Sequence, residues 1–109
     1  MESKKTDGVL VVEMIQRFDA YSAKEVETFL QENIASGKKK ILCDFSGTEY
    51  ISSAGLRVLL AAAKALKKEE GTIALCSLGG PVREVFETAG FIPLFPIYGN
   101  EKEALAAVK

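Results

Sequence analysis

Residues 38–66, KKKILCDFSGTEYISSAGLRVLLAAAKAL, decide the fold. A lysine run at 38–40 leads into a short apolar segment bounded by turn residues, which reads as a strand over 40–45. Residues 46–50 form the polar turn after it. Leu56, Leu59, Leu60, Ala63 and Leu66 then recur at the helical period, with Lys64, Lys67 and Lys68 outside and Gly71 as terminator. That pattern predicts a helix over 54–69. Ser52-Ser53-Ala54-Gly55 opens it, setting hydroxyls where backbone N–H groups and the helix dipole favour an anion. The chain contains no histidine to take a serine proton, so the segment reads as a switch and not as a hydrolase site.

Working outward, residues 9–15 (VLVVEMI) are rich in β-branched side chains and predict a strand. A loop over 16–20 follows. Ser22 and Glu25 have capping-box spacing, with Tyr21 and Val26 at the staple positions, so a helix is expected from there to about Ser36. Val26, Phe29, Leu30 and Ile34 mark its buried face, and Gly37 is suited to stop it. On the C-terminal side, residues 72–77 form a continuous apolar strand. Gly79-Gly80-Pro81 turns into a third helix, with Pro81 at its first position and Gly90 past its end. Two prolines within 91–98 leave room only for a short edge strand, and Asn100 caps a last helix.

The resulting β-α-β-α-β-α-β-α order predicts an α/β fold. It implies a mostly parallel sheet of four to five strands with about four helices, in one domain spanning 1–109. Residues 1–7 are expected to be a flexible terminus or an edge strand.

Composition narrows the function classes. At 109 residues and 48% hydrophobic, the chain suits a packed globule with one modest core. A net charge of −1 supplies no basic footprint for nucleic acid. The longest apolar run, 58–63, is too short for a bilayer, so membrane insertion is not expected. The N-terminal residues lack a signal core, which points to the cytoplasm. Cys43 and Cys76 each lie in an apolar strand and read as buried free thiols; two cysteines without histidine make a poor zinc site, so neither metal nor cofactor is expected. The Gly79-Gly80-Pro81 stretch lacks the GK[ST] ending of a phosphate-binding loop and reads as a turn. Phe91, Phe95 and Tyr98 read as core and edge cover.

Two motifs at consistent separation resemble those of STAS domains of the bacterial anti-sigma factor antagonist type. One is Asp44-x-Ser46, then a spacer through Ile51, then Ser52-Ser53-Ala54-Gly55-Leu56. The other is Phe18-Asp19-Ala20-Tyr21-Ser22-Ala23 before the first helix. The resemblance runs from Val9 to Val108. It implies a non-enzymatic regulator whose serine is phosphorylated by a partner serine kinase that doubles as an anti-sigma factor. The unphosphorylated antagonist binds that partner and frees a sigma factor, and a PP2C-type phosphatase resets it. Carried onto this chain, the resemblance makes Ser53 the phosphoacceptor, with Ser52 as the alternative. Asp19, Ala20, Tyr21, Ser22, Ser52, Ser53, Ala54, Gly55 and Arg57 become the partner-binding set, on a monomer. Ser52 stands where many members have aspartate, Ala54 where some carry the acceptor, and Gln16 where glycine is common. A rival expectation is an unmodified STAS scaffold serving as a subunit of a larger regulatory or transport-associated complex.

Each site residue also has a plainer reading. Ser53 suits a helix N-cap. Gly55 suits close helix–strand packing. Asp19 and Asp44 suit turn caps, and Arg57 suits a solvated surface as readily as it suits pairing with a phosphate or a partner's acid.

Overall fold

Alternation along one strand sets the layers of the molecule. In β2 (Val9–Glu13), Val9 and Val11 face one side of the sheet, Leu10 and Val12 face the other, and all four are buried. The computed structural model describes residues 1–108. Around β2 it contains β1 (Ser3–Thr6), β3 (Arg17–Phe18), α1 (Ala23–Ala35), β4 (Lys40–Asp44), β5 (Tyr50–Ile51) and α2 (Ser53–Lys68). The chain continues through β6 (Thr72–Cys76), α3 (Gly80–Thr88), a 3-10 turn (Ile92–Leu94), β7 (Ile97–Tyr98) and α4 (Glu101–Val108).

The main sheet has the order β1-β2-β4-β6-β7, parallel except for β1, which pairs antiparallel with β2. Leu10 lies opposite Ile41, Ile41 opposite Ile73, and Leu75 opposite Ile97. Parallel crossovers are right-handed, and three that step in one direction put α1, α2 and α3 on a single face. There Val26, Leu30 and Ile34 of α1 and Leu56, Leu59 and Leu66 of α2 join the larger core. Phe45, Phe86 and Phe95 continue that core in edge-to-face contacts at 6.2 and 6.1 Å. α4 covers the opposite face, with Ala104 buried on Val9, Val11, Leu42, Ala74 and Cys76. Cys43 and Cys76 therefore belong to different faces; both are buried free thiols.

The elements follow the expected order, with local corrections. β2 ends at Glu13 and β4 at Asp44, each short of the apolar run that predicted it. Residues 16–20 and 46–50 are not simply loop and turn. Arg17 and Phe18 pair in parallel with Tyr50 and Ile51 as a separate two-stranded sheet. The capping box at Ser22 does not form, because Ser22 has a helical backbone and its hydroxyl donates to the Arg17 carbonyl oxygen at 2.8 Å. No staple forms either, since Tyr21 is 97% exposed. On α2 the buried stripe includes Val58 and Ala62, while Leu60 and Ala63 are only partly covered.

After α2, the left-handed residue is Glu70 (φ 60°), not Gly71. Gly71 is required for a different reason: a Cβ there would lie 2.5 Å from the Lys39 carbonyl oxygen. Pro81 occupies the second position of α3, after Gly80. Residues 3–6 are an ordered edge strand. The Asn100 cap forms as expected, with the Glu103 N–H donating to Asn100 Oδ1 at 2.9 Å. Among the described residues, no helix is long and apolar enough to cross a membrane.

Candidate functional site

β2, β4 and β6 end together at one edge of the sheet, with Glu13 opposite Asp44 and Asp44 opposite Cys76. Loops leaving the carboxyl ends of parallel strands are where α/β folds present binding groups. Two of these loops are laced into one body. The Glu49 and Tyr50 N–H groups donate to the Gln16 carbonyl oxygen at 2.8 and 3.3 Å, and the Ser52 N–H donates to that of Phe18 at 2.9 Å. Buried Thr48 donates its hydroxyl to the Ile15 carbonyl oxygen at 2.8 Å. Side chains add to the lacing: Gln16 donates to Glu49, and the Arg17 guanidinium lies over the Tyr50 ring, 4.7 Å from its centroid. The segment before α1 and the segment before α2 are thereby fixed relative to each other.

The two serines divide the work in a way the sequence did not separate. Ser52 is the N-cap of α2: its backbone is extended and its Oγ accepts from the Gly55 N–H at 3.4 Å. Ser53 is the first helical residue and is exposed. The N-cap expected at Ser53 thus belongs to its neighbour, and no hydrogen bond holds the Ser53 hydroxyl among the described residues. Ala54 is half-buried and Arg57 exposed.

Gly55 is not part of an accessible surface. It is buried, and a Cβ there would lie 2.9 Å from both Ile51 Cγ1 and the Phe18 carbonyl oxygen. The packing reading of Gly55 is therefore met: the glycine lets α2 sit directly on the β3–β5 pair and sets the height of the serines above it.

Asp19 closes the other loop. Its Oδ1 accepts from the N–H groups of Tyr21 and Ser22 at 3.0 and 3.3 Å, and its own N–H donates to Ser22 Oγ at 3.0 Å. Partial desolvation pushes its carboxyl pKa up. The Ser22 and Tyr21 N–H groups and the nearby Arg17 outweigh this and hold it below the usual value. Ser22 is absorbed in this turn, whereas Ala20 and Tyr21 project outward. Asp44 caps its own turn, with Oδ1 accepting from the Ser46 N–H at 2.9 Å.

Two shallow grooves run along α2, and Ser53 lines the second of them. One, of about 480 Å³, lies between α1 and α2 and is lined by Ala20, Lys24, Glu27, Ala54, Arg57 and Val58, among others. It joins Ala20 of the first loop to Ala54 and Arg57 of the second. The other, of about 460 Å³ and mostly apolar, is lined by Ser53, Leu56, Pro81, Glu84 and Val85, among others. Lys24 and Glu84 border the site but were absent from the sequence reading. They arrive from α1 and α3 by tertiary packing, which no local pattern announces. Tyr50, 42% exposed, was read only as part of a turn.

The STAS domain family matches residues 1–104. The chain is 38% identical over 105 residues to a protein of Bordetella bronchiseptica named anti-sigma factor antagonist BtrV, covering 96% of this chain and 90% of that one. An anti-sigma factor antagonist from Mycobacterium paratuberculosis superposes with a TM-score of 0.89 at 29% identity, over 98% of this chain and 91% of that chain. The Bacillus cell fate determinant SpoIIAA, in its phosphorylated form, superposes with a TM-score of 0.77 at 20% identity, over 99% and 98% of the two chains. The last likeness is one of fold. A match from residue 1 to residue 104, with a relative at 38% identity across nearly the whole length, makes this chain a member of the STAS domain family in its anti-sigma factor antagonist group.

Proposed function

We propose that this chain is a phosphorylation-switched anti-sigma factor antagonist. In the unphosphorylated form it binds a serine kinase that is also an anti-sigma factor, and so regulates transcription by partner switching in the cytoplasm. It acts as a monomer and catalyses no reaction of its own. Ser53 is the phosphoacceptor and a PP2C-type phosphatase removes the phosphate. The observation that carries this reading is the position of Ser53: exposed, first in α2, released from capping by Ser52, and lining an apolar groove. The relatives named anti-sigma factor antagonists support the partner class. The SpoIIAA neighbour supports a fold that carries phosphate.

The chemistry of such a switch is electrostatic. A phosphoserine adds about −1.5 to −2 charge, which a helix N-terminus accepts, so the domain stays folded. Lowering partner affinity a thousandfold takes roughly 4 kcal/mol. A phosphate buried against like charge or left unpaired in an interface supplies several kcal/mol.

Calorimetric titration of the cognate kinase with the wild type, Ser53→Ala and Ser53→Asp tests the reading. Ser53→Ala is expected to bind as the unphosphorylated wild type does, even after incubation with kinase and ATP, and Ser53→Asp to bind weakly while folded. Equal binding by all three forms would leave the scaffold alternative in its place.

A further inference from the structure

Arg57 stands one turn along α2 from Ser53, exposed and without an ion-pair or hydrogen-bond partner among the described residues. The other two arginines are engaged, Arg17 with Asp19 and Tyr50, and Arg83 with Glu87. Side chains on a helix lean toward its N-terminus, so a residue overlies the one four positions earlier. Arg57 and Ser53 thus stand on successive turns of one helix face, at the spacing where side chains interact.

The surroundings of Ser53 are polarised. Glu84 of α3 borders the groove that Ser53 itself lines. Arg57 and Lys24 border the groove on the α1 side, and Lys24 is already shared with Glu27 at 3.4 Å. Asp19 is occupied by its own turn and by Arg17. A phosphate on Ser53 is repelled from the Glu84 side and meets one uncommitted cation, Arg57.

We propose that Arg57 is the counter-ion, within the same helix, of a phosphate carried by Ser53, a positioning residue that draws the modified side chain along α2 and away from Glu84. The inference rests on Ser53 being the phosphoacceptor. Its consequence is that phosphorylation does two things at once: it adds an anion and withdraws the one uncommitted arginine from the partner-facing surface.

The test uses full-length protein with phosphoserine installed at position 53 during synthesis, titrated by ³¹P NMR as wild type, Arg57→Gln, Arg57→Lys and Glu84→Gln. The phosphate's second ionisation lies near pH 6 in the absence of such a partner. Arg57→Gln is expected to raise the midpoint by about 0.15–0.4 unit relative to wild type, the size of a helical pair four residues apart. Arg57→Lys is expected to recover most of that shift, and Glu84→Gln to lower the midpoint. Identical midpoints for wild type and Arg57→Gln would overturn the proposal. Because the phosphate is installed directly, that result would leave the phosphoacceptor reading untouched, and phosphate mapping on protein from its own cells tests that reading separately.

Discussion

Ser52→Ala and Ser53→Ala should differ in stability although the residues are neighbours. Ser52 caps α2 through the Gly55 N–H, and losing a serine cap costs about 0.5–2 kcal/mol, here toward the low end given the 3.4 Å bond. Ser53 is exposed and makes no such bond, so its replacement by alanine should fall within about ±0.5 kcal/mol. Urea unfolding of the two variants measures the difference, and equal losses would contradict the assignment of the cap. Gly55→Val should cost about 2 kcal/mol or more, because the added atoms meet Ile51 and the Phe18 carbonyl oxygen, where neither can retreat cheaply. At this scale the sequence was informative about residue type and weak about position. Two adjacent serines fit the same pattern, and only the extended backbone at Ser52 decides which one caps. The turn-capping roles of Asp19 and Asp44 were legible because an aspartate reaching two residues ahead is a local interaction.

Between residue and molecule stand the elements that hold the two loops together. The Asp19 turn carries a pH signature. Its carboxyl pKa is lower in the folded protein than the ordinary 3.8, so its stabilising effect is complete above that value. The effect is lost as pH falls through the lowered folded value. Asp19→Ala should therefore flatten the acid limb of a plot of denaturation midpoint against pH below 3.8, while lowering stability at neutral pH. Gly71→Ala should destabilise the junction of α2 and β6 by about 1–3 kcal/mol, since the methyl group would press on the Lys39 carbonyl oxygen and on Leu66. Thermal unfolding of Gly71→Ala provides the check. The long elements were readable from period and punctuation. The β3–β5 pair was not, because two-residue strands carry no periodicity and exist through pairing between residues more than thirty positions apart. The capping box failed for a related reason: the Ser22 hydroxyl found a closer partner in the Arg17 carbonyl oxygen than the helix offered.

For the whole molecule, the thiols report on the two-faced sheet. Burial, with Cys76 adding to it, pushes the Cys43 thiol pKa up to about 12. Burial pushes that of Cys76 up to about 11. Neither is a nucleophile near neutral pH, and both should resist a thiol reagent until the chain unfolds, then react together. Rapid labelling of either thiol in the native protein would contradict the sandwich of α1–α3, sheet and α4. The alternation of strands and helices made the parallel sheet legible. The placement of three helices on one face follows from crossover handedness and from a strand order that never reverses. That packing brings Lys24 of α1 and Glu84 of α3 to the grooves along α2, so these two charges were beyond the reach of local sequence patterns, whereas Arg57, four residues from Ser53 on the same helix, was legible as a phosphate partner.

The central claim is that Ser53 carries the switch. Peptide mass spectrometry on protein purified from its own cells, with and without phosphatase treatment, tests it most directly. The account predicts a single phosphatase-sensitive phosphate on Ser53. A phosphate confined to Ser52, or none under any growth condition, would contradict it.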